Sequence, residues 1–249
     1  MSNLITKEFD VFAFRAIDEP ELCQQYLAGH RKVLTDYGIE NVTTNKQSWM
    51  FNPHIYCVVA RDNTNGELVG GVRIQLADGN TPLPIEEAIG IMDNALYRLV
   101  EKHALNGGIG ESCGLWTSKN VKGMGVPRYL MWGSVSSANQ LNFATLIGIC
   151  AGYTLKLFSE IGFVVDRSLG NNGEFHYPNE KYIAHVIGIL NAITLETSNE
   201  RDKHIMLSLR ENLFKKHYDS NDKFNIKVNF NLLYKNITPL FYTSNNGKN

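Results

Sequence analysis

Apolar positions along this chain recur with a period near two in some stretches and near 3.6 in others, and glycine, proline or asparagine marks most of the changes between them. Residues 9–15 (Phe-Asp-Val-Phe-Ala-Phe-Arg) read as a strand. Asp18 and Glu19 ahead of Pro20 are a helix start, and Leu22, Tyr26, Val33 and Tyr37 share one helical face before Gly38 supplies the stop. Residues 55–61 and 67–76 pair as a hairpin through the turn Asp62-Asn63-Thr64-Asn65-Gly66. After a proline-containing loop at 77–84, helical spacing links Ile85, Ala88, Ile89, Met92, Leu96, Leu99 and Val100, which predicts one helix over 85–105. The glycine cluster at 107–110 ends it.

The second half continues the alternation. A strand over 111–118, a helix over 126–140 with Pro127 in its first turn, a strand over 143–150 and a helix over 151–161 follow in order. Further strands are expected at 163–169 and 182–190. From about 198 a charged amphipathic helix runs to His217, and Phe224, Ile226, Val228, Phe230 and Leu232 then alternate as a strand. No internal repeat or low-complexity linker divides the chain.

Composition narrows the functional classes. With 249 residues, 43% hydrophobic and 20% charged, the chain buries a full core as one large domain, or a domain with an appendage. A net charge of −1 and the lack of a basic run argue against a nucleic-acid partner, so small molecules or proteins are the expected partners. The first residues form no signal-peptide pattern, and no window approaches ~18 uninterrupted apolar residues, so a cytoplasmic protein without a membrane span is expected. Cys23, Cys57, Cys113 and Cys150 include no C-x-x-C pair, and the histidines have no metal-ligand spacing; neither a disulfide framework nor a metal is predicted.

The chemistry concentrates in residues 111–163. Asn120-Val121-Lys122-Gly123-Met124-Gly125 lies between a strand and a helix, where glycine lets the backbone approach a ligand closely. Free amides and the positive end of the next helix suit a phosphate or pyrophosphate. A second pattern, Gly148-Ile149-Cys150-Ala151-Gly152, has the spacing of a nucleophile elbow and resembles the cysteine elbow of class I glutamine amidotransferases. His176, His185 and His204 are its candidate bases and Asp166 a possible orienter. Trp49, Phe51, Trp116 and Trp132, with the helix at 85–105, are candidates for the wall of an apolar tunnel or for plain core.

The order of a hairpin, a strand, a glycine loop opening a helix, then strand, helix and Gly162-Phe163 resembles the GNAT-type acyl-CoA N-acyltransferases over residues 9–190. Upstream of the loop, Gly70-Gly71-Val72-Arg73-Ile74 and Glu111-Ser112-Cys113 resemble the branch of autoinducer synthases and N-acyl amino acid synthases; Gly114 stands where that branch usually has Arg. The resemblance implies an α/β fold with a mixed, largely antiparallel sheet flanked by helices. Residues 1–195 would form the acyltransferase domain and 196–249 a C-terminal extension packed on it. It implies transfer of an acyl group from a pantetheine thioester, acyl-CoA or acyl carrier protein, to the primary amine of a small molecule. Residues 120–125 would hold the donor, Glu111 would be the general base and Arg73 a substrate anchor. The family's usual acid, a Tyr four residues before the Gly of Gly-Phe, is Phe158 here, and Tyr153 is the substitute considered. A cysteine hydrolase built on Cys150 and a non-catalytic acyl-donor-binding module are the alternatives.

Overall fold

A computed structural model describes residues 4–36, 38, 47–240 and 242; Tyr37, counted above on a helical face, lies outside them. Strand β1 (Ile5–Arg15) leads into helix α1 (Pro20–Asp36), which opens on proline and buries Cys23, Tyr26, Leu27 and His30, the i, i+3, i+4, i+7 stripe of one face. Strands β2 (Ile55–Asp62) and β3 (Leu68–Leu76) form the expected hairpin, its turn held by the Asp62 carboxylate accepting from the Thr64 amide at 2.8 Å. Then come α2 (Pro84–Ile89), α3 (Ala95–Leu105), β4 (Ile109–Thr117), α4 (Val126–Ser136), α5 (Ala138–Leu141), β5 (Thr145–Ala151) and α6 (Leu155–Ile161). The chain continues through β6 (Val164–Val165), β7 (Glu174–His176), β8 (Ile183–Ile189), α7 (Glu200–Glu211), β9 (Phe214–Ser220) and β10 (Phe224–Asn231).

All ten strands join one sheet in the order β6-β8-β5-β4-β3-β2-β1-β10-β9, with β7 also on β8. The pairs β1–β10 and β4–β5 are parallel and the rest antiparallel, so the sheet is mixed and largely antiparallel, as expected. One face carries α4, α6 and α7 over Tyr56, Val58, Val72 and Ile74. On the other face, α1 packs with Trp49 and Trp116 over Cys57 and Val59, while α2 and α3 cover Ile109, Ile147 and Val186. Two-sided burial explains why β2 and β3 read as nearly continuous apolar runs.

Several elements differ from the sequence expectation. The helix predicted over 85–105 is two helices broken at residues 90–94, because the Asp93 carboxylate accepts from the Ala95 amide at 2.9 Å and restarts the helix there. The periodicity survived the break because Ile85, Ala88, Ile89, Leu96 and Val100 fill the same core layer. The helix predicted to reach His217 ends at Glu211, and residues 214–220 form β9 against β10. Its Lys215, Lys216 and His217 read as a polar helix face, yet burial alternates along the segment. The strand expected at 163–169 is reduced to Val164–Val165, β7 was not anticipated, and the helix expected from 151 begins at Leu155 after a single 3-10 turn.

Candidate active site

Strands β4 and β5 pair over three positions only, Ile109–Thr145, Gly110–Leu146 and Glu111–Ile147. At the next step Gly148 lies against Ser112, where a Cβ would stand 2.7 Å from the Ser112 carbonyl oxygen. Beyond it β4 stays with β3 and β5 with β8, so the two strands part and leave an unpaired edge on each side of a wedge. Near that wedge the β3–β4 register slips: Gly71 pairs with Trp116 but Arg73 with Cys113. Gly114 sits in the slip at φ 60°, a left-handed conformation that favours glycine, and its carbonyl accepts from the buried Tyr26 hydroxyl. Backbone geometry thus accounts for Gly at a position where the resembling branch carries Arg.

The glycine loop lies after β4, as expected. Residues 119–121 make a 3-10 turn started by the Ser118 hydroxyl accepting from the Asn120 amide, and the Val121, Lys122 and Met124 amides are used inside the loop. The amides of Gly123, Gly125 and Val126 have no acceptor among the described residues. Gly123 (φ 78°) and Gly125 (φ 76°) are both left-handed, and nothing lies within 4 Å of where a Gly123 Cβ would be. The Cβ side of Gly123 is therefore open, whereas at Gly125, which caps α4, a Cβ would stand 2.7 Å from the Tyr129 hydroxyl; the helix dipole is positive at this loop. From behind, the Asn221 amide group of the β9–β10 turn donates to the Gly123 carbonyl at 2.9 Å.

On the α1 side of the sheet, Arg73 and Gln75 form the floor of a cleft of about 380 Å³ walled by Trp49, Phe51, Asp78, Pro84 and Glu87. Arg73 is buried; its Nε donates to the Cys113 Sγ at 3.2 Å and its guanidinium lies 4.8 Å from the centre of the Trp49 ring. Its Nη1 is buried without a partner, and it makes no ion pair with a carboxylate among the described residues. The neighbouring His30 is held down to about 4, first by burial and then by the charges of Arg73 and Arg31, so it adds no charge at neutral pH. Burial pushes the Cys113 thiol up to about 12. A buried cation left without a counter-ion, opening on a cleft, is expensive unless an anion joins it.

Glu111 pairs with Gln75 two ladder rows from Arg73 and is likewise buried. Its carboxylate accepts from the Ile85 amide at 2.7 Å, at the start of α2, and it does not line the cleft directly. Burial raises its pKa from the ordinary 4.5 to about 8, against the opposing pull of that amide and of Arg73. Gln75, Asp78 and Glu87 escaped the sequence reading. The signal for Gln75 was a buried amide two residues after Arg73 on an otherwise apolar strand face.

The other expected site residues lie apart from this group. Tyr153 is 83% exposed in the 3-10 turn after β5, while Phe158 is buried edge-on against Phe163. Cys150 is inside β5, in register with His185, rather than at a strand-to-helix corner, and burial pushes its thiol up to about 11. A nucleophilic cysteine needs an exposed corner and a lowered pKa, so the elbow expectation fails on both counts. Of the four aromatic residues, Trp49 and Phe51 wall the cleft; Trp116 packs under α1 and Trp132 is buried with its Nε1 donating to Asp202 at 2.7 Å. Among the described residues no cluster of His, Cys, Asp or Glu is arranged to hold a metal ion, and no helix is long and apolar enough to cross a membrane.

No protein-family model matches this sequence, and no curated protein does. Solved structures match its fold. The N-acyl amino acid synthase FeeM from uncultured soil microbes is 13% identical with a TM-score of 0.56, over 80% of this chain and 98% of that one. The CoA-dependent acyl-homoserine lactone synthase BjaI, solved with SAM and isopentyl-CoA, is 13% identical with a TM-score of 0.51, over 87% of this chain and 92% of that one. An acyl-CoA N-acyltransferase from Pseudomonas aeruginosa is 11% identical with a TM-score of 0.50, over 72% of this chain and 98% of that one. At these identities the likeness is one of fold, and the fold is that of the GNAT acyltransferases together with the acyl-homoserine lactone and N-acyl amino acid synthases.

Proposed function

We propose that this chain is an N-acyltransferase that moves an acyl group from a pantetheine thioester, acyl-CoA or acyl carrier protein, to the primary amine of a small molecule that also carries a carboxylate, such as an amino acid. The observation that carries the acceptor class is Arg73, a buried guanidinium with an unpartnered Nη1 at the floor of an open cleft. A carboxylate is the planar anion such a fork pairs with best, and Asp78 and Glu87 on the wall favour an ammonium group beside it.

The donor reading rests on the parted strands and on the loop at 120–125. Gly123, Gly125 and Val126 would donate to the phosphate groups, and the pantetheine arm would run along the unpaired β4 and β5 edges. The amine nitrogen attacks the thioester carbonyl, a C–N bond forms, the C–S bond breaks, and the proton shed by nitrogen passes to Glu111 through a water. We read residues 1–195 as the acyltransferase unit and 196–249 as an extension packed on it. The contacts of Asn221 with Gly123 and of Asp219 with the Tyr129 hydroxyl at 3.3 Å support that reading.

The direct test is calorimetric titration of the protein with acetyl-, octanoyl- and palmitoyl-CoA, followed by an acceptor screen of amino acids against the matching amino acid amides. Saturable donor binding with acylation of the acids and not the amides supports the reading. Absence of binding to every thioester, including an acyl carrier protein donor, overturns it.

A further inference from the structure

Three strands carry a row of reactive side chains that the reading above leaves unused. Cys150 of β5 pairs with His185 of β8, and His185 pairs in turn with Glu174 of β7, so the three side chains share one face of the sheet. The Nδ1 of His185 stands 3.8 Å from the Glu174 carboxylate, an ion pair whenever the imidazole is protonated. On its other side the ring leans over Gly152 at the end of β5, where a Cβ would come 3.4 Å from Nε2. Gly152 thus sets no side chain against Nε2 there, and β5 is the one strand between β8 and the wedge. Cys150, held near 11 by burial, offers a weak acid and no nucleophile, which leaves the imidazole as the reactive member of the row.

We propose that His185 is the proton donor to the departing pantetheine thiolate, with Glu174 a positioning residue that fixes its ring. The proposal rests on the acyltransferase reading of the wedge. Breakage of the C–S bond leaves the electron pair on sulfur; the imidazolium Nε2–H gives its proton to that thiolate, and the neutral ring regains one from solvent after the thiol departs. This supplies an acid in a chain where Phe158 occupies the position of the family's tyrosine and Tyr153 lies exposed at the strand end.

The test is His185→Gln, with Glu174→Gln beside it, assayed for thiol release with octanoyl-CoA and a mixture of the common amino acids. Donor binding is measured separately by calorimetry. A general acid contributes about a hundredfold or more, and a thiolate leaves partly without help, so a loss in kcat of about 10- to 100-fold with unchanged donor affinity is expected. Glu174→Gln should lose less, and the double variant little more than His185→Gln alone. With the selenoester analogue of octanoyl-CoA, whose leaving group needs less protonation, the His185→Gln loss should shrink; a merely structural residue would slow both donors equally. Normal kcat in His185→Gln, or an equal loss with both donors, overturns the assignment while the acyltransferase reading stands. Failure of the unaltered protein to bind any thioester removes both.

Discussion

Arg73 and Cys113 face each other across the β3–β4 ladder, and the guanidinium spends its Nε on a thiol at 3.2 Å instead of on a carboxylate. A neutral sulfur satisfies one donor without cancelling the charge, which leaves the cation available to a ligand in the cleft. Arg73→Gln should therefore raise the acceptor KM about tenfold to a hundredfold, the worth of a charge-assisted hydrogen bond, with donor affinity unchanged. The folded state should not weaken, since the substitution removes a buried charge that has no counter-ion. Steady-state kinetics and a thermal melt on the same preparation check both halves; an unchanged KM would remove Arg73 from the acceptor site.

Glu111 ties stability and rate to pH with opposite signs. Its pKa is about 8 in the folded protein against an ordinary 4.5, so between those values the folded chain binds more protons than the unfolded chain. Stability should fall as pH rises from about 4.5 to 8 and level off above, by an order of magnitude not exceeding about 5 kcal/mol. Glu111→Gln should flatten that slope in denaturant melts at several pH values. Over the upper part of the window the ionised form appears, and turnover should climb with it in the parent and stay low in Glu111→Gln. A parent whose stability is level from pH 5 to 8 would show that the carboxyl is not held protonated by burial.

The order of strands and helices was legible because each central element carries its own local signal: a period, a cap, a turn. The glycine loop stood out by its place between a strand and a helix, whereas Glu111 and Arg73 stood out only through the resemblance of residues 70–74 and 111–113 to the synthase branch. What the sequence hid depended on contacts distant along the chain. Residues 214–220 are a strand only because β10 pairs with them, and β10 in turn lies parallel to β1 more than two hundred residues earlier. The break at residues 90–94 was hidden because both helices bury into one layer, so apolar spacing ran on through it. Gln75, Asp78 and Glu87 became visible only once the folded chain gathered them around Arg73.

Two glycines separate steric from backbone causes. Gly29 lies in α1, where alanine would ordinarily gain about 1 kcal/mol of helix propensity, yet a Cβ there would sit 2.1 Å from the Trp116 ring. Trp116 is itself pinned edge-on against Tyr26, so the clash should win and Gly29→Ala should lose about 1–3 kcal/mol. Gly123 has open space around it but a φ of 78°, so Gly123→Ala should cost about 1–2 kcal/mol from backbone strain alone. Pairing Gly29→Ala with Trp116→Leu should recover part of the first loss and nothing of the second. Denaturant midpoints of the four variants decide this, and a stabilised Gly29→Ala would contradict the packing described.

Asp202 is fully buried and joins α7 to α4: it accepts from Arg128 Nη1 at 2.6 Å, from Trp132 Nε1 at 2.7 Å and from the Asn199 side chain at 2.6 Å. Asn199 returns the contact by capping α7, accepting from the Asp202 amide at 2.9 Å. Removing the carboxylate leaves the Trp132 donor and part of the Arg128 charge without a partner, although Glu160 still holds the other arm of that guanidinium. Asp202→Ala should therefore cost about 3–5 kcal/mol, and Asp202→Asn less because one acceptor oxygen remains. Because Arg128 stands three residues beyond Gly125, the loosened helix start should also weaken donor binding, whereas Asp62→Ala, whose carboxylate bonds to Lys7 and the Thr64 amide and not to the loop, should leave it alone. Denaturant melts and donor titrations of the three variants check this; a loss below about 1 kcal/mol in Asp202→Ala would mean that apolar packing between α4 and α7, not the buried carboxylate, holds the C-terminal segment in place.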